Sequence, residues 1–365
     1  MRSTLDEITK ELDELRALVS SIAPVNSALA DHQDLVVRKY VTIRRRFDNG
    51  AFAVALYASF EKFIENLVAA YAHLESRRVR YTELPQKLVT KHLLSTAEML
   101  SRGRIGEGRY IGLTEIDVVK NLFECLSGLN PYMLNAAAVV AHDVNLRVGE
   151  IDKLFAVVGI EHICSRVRKG DALVQWYCEV KEFSSVPKDG VPATIIDERI
   201  KDLVERRNQI AHRGGNPLDL LGGNEMSEAI DYIHAFSQSV FAMVIGRYLQ
   251  DHHAASRKSI QLTQCTNDGP YKNGKVVVVE RPAQRIFVGQ PVFVLVDSTG
   301  ARWGRIQGIK VDETTVEAFE PSMTAANGVG IELDFKCPKG VRLIALNTDD
   351  DVVWSPQERT VVAAI

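Results

Sequence analysis

Arg207, Asn208 and His212 stand near one end of a helical segment, and their side chains suit proton transfer beside an anion. An imidazole titrates near ~6.5 and exchanges a proton around neutrality. A guanidinium stays charged there and can grip two oxygens of one anion. In ATIIDERIKDLVERRNQIAH, Ile196, Ile200, Leu203, Arg207 and Ile210 follow at steps of four, three, four and three, which puts Arg207 in an otherwise apolar seam. A guanidinium buried alone is costly, so the position requires either a carboxylate partner or a cleft that receives an anion. Asn208 and His212 lie four apart on the neighbouring face, and Gly214, Gly215 and Pro217 stop the helix just beyond. The alternative is plain capping, since cations at a helix C-terminus offset its dipole without any chemistry.

The elements that must carry these residues are mostly helices. Leu5, Ile8, Leu12, Leu15, Val19 and Ile22 form a narrow seam on a first helix that should end near Ala23-Pro24, packing on its own domain or contributing to a dimer. From Gly50 to about Leu74 a second helix buries Phe52, Leu56, Phe60, Phe63 and Leu67. Periodic segments follow at 85–100, 114–126, 150–158, 193–212 and 225–250. Beyond Arg257 the pattern becomes short β-branched runs, KVVVVE, PVFVLVD, RWGRIQGIKVD, TTVEAF, IELDF and RLIALN, between Gly, Pro and Asp turns. The expected organisation is an N-terminal amphipathic helix over 1–30, a helical domain over 31–255, a polar linker over 256–274 and a small all-β barrel or sandwich over 275–365.

Composition narrows the function classes. A formal charge of -3 leaves no global excess of cations, so any nucleic-acid contact must be a local patch. The five cysteines are scattered and form no CxxC pair, which argues against a disulfide framework and a zinc site. No HExxH or Cys/His cluster occurs, so neither a metal nor a cofactor is expected. The start, MRSTLDEITKELDELRALV, is no secretory signal and no transmembrane run follows, so a cytoplasmic protein without a membrane partner is expected.

LVERRNQIAHRGG carries an RxxxxH pattern at Arg207 and His212. Together with YASFEKFIENLV, where Glu61 sits between aromatics, and NLRVGEIDKLFAVVGI, it resembles the HEPN superfamily in its RiboL-PSP type over about residues 35 to 250. The resemblance implies a helical bundle that homodimerises so that two motifs face one cleft and cut RNA without metal. On that implication Arg207 steadies charge on phosphorus, Asn208 orients histidine or phosphate, and His212 moves protons. Arg206 is then a substrate contact or a surface charge, and Glu61 a structural partner for Arg207.

The remaining candidates divide between bland and functional readings. SRGRIGEGRYIG offers Arg104 and Arg109 on a glycine-rich loop that lacks the ending of a nucleotide loop; it is a flexible basic loop or a contact to RNA backbone. His142 is expected to make a structural hydrogen bond or, as the second reading, to reach the cleft, and His252 and His253 are expected to be solvated. Trp303, Arg302 and Arg305 either pack and decorate a strand pair or present a contact surface in the β domain, which could hold a regulatory partner. The leading expectation is a homodimeric endoribonuclease acting as a toxin or anti-phage effector. Its rivals are a non-catalytic dimerisation or binding module and a partner of a separate nucleotidyltransferase.

Overall fold

The computed structural model describes residues 1–103, 105–183, 187–213, 220–256, 259–265, 269–296, 300–312, 314–325, 328–348 and 352–354, and at Thr42, Arg109, His212 and Arg213 it describes the backbone alone. Two compact units divide the chain between Val240 and Phe241. The first is helical. It comprises α1 (Arg2–Ala30), α2 (Leu35–Ser76), α3 (Gln86–Arg102), α4 (Glu115–Leu126), α5 (Ala136–Val139), α6 (Val148–Val157), α7 (Ile163–Arg166), α8 (Asp171–Val180), α9 (Ala193–Arg213) and the start of α10 (Gly223–His252).

Two helices are longer than their periodicity suggests. α1 passes through Pro24 instead of ending there. Proline removes one N–H from the ladder, and the carbonyl it strands belongs to exposed Ser20 and can bond water. Leu5, Ile8, Leu12, Leu15 and Val19 are buried within the one chain, so this seam is spent on its own domain. Lys62 ties α1 to α2 through Glu7 and Glu11, at 2.6 and 2.8 Å. α2 starts at Leu35, capped by the Asp34 carboxylate that accepts from the Val36 N–H at 2.8 Å, well before the expected start at Gly50. Its second half buries the expected stripe of Phe52, Leu56, Phe60, Phe63 and Leu67.

The second unit takes the end of α10 and a curled antiparallel sheet, a half-barrel, which is the small all-β domain the sequence leads one to expect. Its strands are β1 (Ser259–Leu262), β2 (Val276–Val279), β3 (Ile286–Phe287), β4 (Pro291–Val296), β5 (Gly300–Val311), β6 (Thr314–Val316), β7 (Ala318–Phe319), β8 (Val329–Leu333) and β9 (Leu343–Leu346). The main sheet runs β1-β9-β4-β5-β8-β2, β6 pairs with β5, and β3 pairs with β7. β1 lies in the stretch read as linker; four residues are too few to show a period, and pairing with β9 supplies the order. A Cβ at Gly246 would stand 2.9 Å from the Ala301 nitrogen, and one at Gly300 would stand 2.7 Å from the Ala242 carbonyl, so α10 and β5 approach backbone to backbone.

Here Trp303 packs edge-on to Phe241 at 5.7 Å and near Trp354 at 6.3 Å. Arg302 and Arg305 donate to the carbonyls of Lys336 and Gly289. These three residues therefore pack and decorate strands. His253 departs from the solvated expectation: it is buried, and its carbonyl accepts from the Ser259 hydroxyl at 2.7 Å.

Candidate functional site

α9 packs against α2, and this pairing positions the motif. Ile196, Ile200, Leu203 and Val204 are buried, and from Glu205 to Ile210 the helix becomes half-buried, so the seam opens at Arg207 as its polar character requires. Gly50 of α2 lies against Ile210, where a Cβ would touch the isoleucine at 3.8 Å. Two turns further along α2, the Arg207 guanidinium lies over the Tyr57 ring, 5.6 Å from its centroid. Such a cation–π contact stabilises by about 0.5–2 kcal/mol.

The Asn208 amide is oriented by two donors. Asn145 Nδ2 donates to its Oδ1 at 2.8 Å, and Arg207 Nη1 donates to the same oxygen at 3.2 Å. With the oxygen thus engaged, the amide NH2 remains as a donor. Arg207 has no carboxylate partner among the described residues. Its neighbours are a neutral amide and a neutral ring, an arrangement that leaves guanidinium donors for an anion.

Glu61 does not pair with Arg207 as expected. Its Oε1 accepts from the Tyr57 hydroxyl at 2.8 Å and stands 3.9 Å from His142 Nε2. The cause is reach along one helix: Tyr57 and Glu61 are four residues apart on α2, so the phenol intervenes between the two charges. Tyr57 also accepts the Leu146 N–H at 3.0 Å. Burial first, and then the Glu61 carboxylate, push its phenol above its ordinary range, so it remains a neutral donor.

His142 closes the network from the other side. Its Nε2 meets Glu65 at 2.8 Å and its Nδ1 meets the Val144 carbonyl at 2.7 Å. The Glu65 hydrogen bond is the largest cause raising this imidazole above 6.5, against the opposing effect of burial. A raised folded value means that the stability from this charged pair is complete below 6.5 and is lost as pH rises through the folded value. Glu65→Gln is expected to lower the His142 titration seen by NMR; an unmoved titration would show that the carboxylate is not responsible.

Tyr57, Asn145 and Glu65 were not singled out from the sequence. Tyr57 had a usable signal, the i,i+4 spacing to Glu61, whereas Asn145 comes from a loop with no period. Arg206 points elsewhere, pairing with Asp202 at 2.8 Å and lining a small cleft with Arg199, Leu203 and Leu221. His212 lies in α9 by its backbone, but its side chain is outside the described residues, as are Arg104 and the Arg109 side chain. The rest of that loop packs Ile105, Tyr110 and Leu113 on Met99, Val118 and Ala138. Among the described residues no group of three or more His, Cys, Asp or Glu could hold a metal ion, and no helix is long and apolar enough to cross a membrane.

A family model described as RiboL-PSP-HEPN matches residues 6–243, a span that contains all of α9 and leaves the sheet outside. No curated protein sequence matches the chain.

Proposed function

Because the chain belongs to the RiboL-PSP-HEPN family, with a nuclease or RNA-related role as the family's setting, we propose that it is a metal-independent endoribonuclease acting as a homodimer. The observation that carries this reading is Arg207: a half-buried cation held by a ring and an amide, with no carboxylate to satisfy it among the described residues. A phosphodiester supplies the missing anion. The Asn208 NH2, left as a donor once its oxygen accepts from Asn145 and Arg207, is the second ligand to phosphate oxygen in this reading.

In the proposed reaction, His212 of one copy takes the 2'-hydroxyl proton as that oxygen attacks phosphorus. The bond from phosphorus to the 5'-oxygen breaks, and the second copy's His212 returns a proton to the leaving oxygen. Arg207 remains charged throughout and offsets the charge gathering on the phosphoryl oxygens. Dividing base and acid between two copies explains how one histidine per chain suffices. By family analogy alone, we extend the reading to a cytoplasmic toxin or anti-phage effector, with the β domain as the seat of a regulatory partner.

The test is expression of wild-type and His212→Ala forms in bacteria, scored by growth and by total RNA integrity. Arrested growth with fragmented RNA is expected from the wild type alone. Fragmentation by both forms would sink the assignment of His212, and purified wild type that cleaves no RNA in vitro would favour the non-catalytic binding module.

A further inference from the structure

The first half of α2 buries almost nothing. Leu35, Val36, Tyr40, Ile43 and Phe47 are exposed, with Tyr40 at 55% and Phe47 at 57%. Val36, Tyr40, Ile43 and Phe47 follow at steps of four, three and four, so they form one face. Over residues 35–47 the helix also carries Arg38, Lys39, Arg44, Arg45 and Arg46 and no carboxylate, a local basic stretch in a chain whose formal charge is -3; Arg44 is held by Asp48 at 3.0 Å, just beyond it. The Arg46 guanidinium lies over the Phe47 ring, 5.8 Å from its centroid.

We propose that this exposed face of α2 is a docking track for single-stranded RNA, with bases stacked on Tyr40 and Phe47 and phosphates against the flanking cations. The track rests on the nuclease reading for its direction, since the same helix carries Tyr57, the ring beneath Arg207. Ten residues separate Phe47 from Tyr57, about 15 Å along the helix, and the faces differ by less than a quarter turn. Tyr40 and Phe47 are about 10 Å apart, the rise of about three stacked nucleotides. Exposed rings interleaved with cations suit a strand of any sequence, because every base has a face to stack and every linkage a charge. A second copy of the helix fits this face less well: Arg44 is engaged by Asp48, but a twofold pairing would still set Arg38, Lys39, Arg45 and Arg46 of one copy against the same four of the other, with no acid between 35 and 47 to separate them.

The experiment uses the full chain carrying His212→Ala, so that bound RNA survives, and a fluorescein-labelled, mixed-sequence, single-stranded RNA of about 15 nucleotides read by anisotropy. Adding Tyr40→Ala with Phe47→Ala is expected to weaken binding by about tenfold or more. Tyr40→Phe, which keeps the ring, should bind like its parent. Adding Lys39→Ala with Arg45→Ala should lower the salt slope of log K by about one to two. Matched circular dichroism spectra exclude unfolding at these exposed positions. A double-ring variant that binds within twofold of its parent overturns the proposal. So does a change from dimer to monomer at unchanged RNA affinity, which would assign the face to a second copy. Wild type that binds RNA through this face yet never cleaves would leave the track standing and remove the nuclease reading.

Discussion

Arg207→Ala is expected to slow RNA cleavage by about two to three orders of magnitude, the usual loss when one preorganised stabiliser of transition-state charge is removed. Little of that loss should come from unfolding. The side chain is half-buried, and its replacement forfeits one hydrogen bond to Asn208 and the contact with Tyr57, together about 1–3 kcal/mol. Arg207→Lys separates charge from geometry. An ammonium keeps the positive charge but cannot offer two parallel donors, so only a small part of the rate should return. Initial rates on a fluorophore–quencher RNA, with thermal midpoints measured alongside, check both variants. Cleavage by Arg207→Ala within about threefold of wild type would remove the arginine from the chemistry.

The same substitution tests the division of labour between copies. Arg207→Ala and His212→Ala chains, mixed and re-equilibrated, should not recover full cleavage if each copy must supply both groups. Complete recovery in the heterodimer would count against that division. Asn208 adds a subtler control: since Asn145 and Arg207 both donate to its amide oxygen, Asn208→Asp would keep the acceptor but replace the NH2 donor with a second, charged acceptor.

Helix α9 was legible from its letters because a half-buried helix writes its buried side at steps of three and four. Arg207 stood out as the one charge in that register, and the seam opens where it occurs. Its surroundings were less legible, since they come from two distant segments. Tyr57 reads as one more aromatic in a buried stripe, and nothing in the loop before α6 marks Asn145 as the donor that fixes Asn208. The expected pairing of Glu61 with Arg207 counted charges correctly but ignored the tyrosine one turn away, which reaches both.

The first half of α2 went unread for the opposite reason. Its apolar residues keep helical spacing but face solvent among cations, so they resemble neither a core stripe nor a loop. β1 escaped because four residues paired to a strand far along the chain leave no local signature. The all-β character of the second unit was legible all the same, because its alternating short strands state that one face is buried.

Acidification from pH 6.5 to 4 is expected to cost the helical unit about 3 kcal/mol of stability through one residue, His92. Its side chain is 0% exposed, and burial drives its imidazole down from 6.5 to about 4. The hydrogen bonds explain why the neutral form is required. The Asn135 N–H points at Nε2 from 2.9 Å, so Nε2 must accept and Nδ1 must carry the proton, which it shares with the Tyr81 hydroxyl at 3.0 Å. A second proton on Nε2 would set donor against donor at a fully buried ring. Because the folded value lies below the unfolded one, the unfolded chain takes up the proton first. Stability is therefore complete above 6.5, falls as pH drops toward 4, and falls no further from this group below that. His73 and His234 are also lowered by burial and add to the same trend, so the decisive quantity is a difference between proteins. His92→Gln can accept from Asn135 and donate to Tyr81 without titrating. Urea unfolding at pH 7 and pH 4.5 should show the variant weaker at neutrality yet distinctly less sensitive to acid. Equal losses in both proteins would mean that His92 is protonated in the folded state without penalty, against the geometry of its two hydrogen bonds.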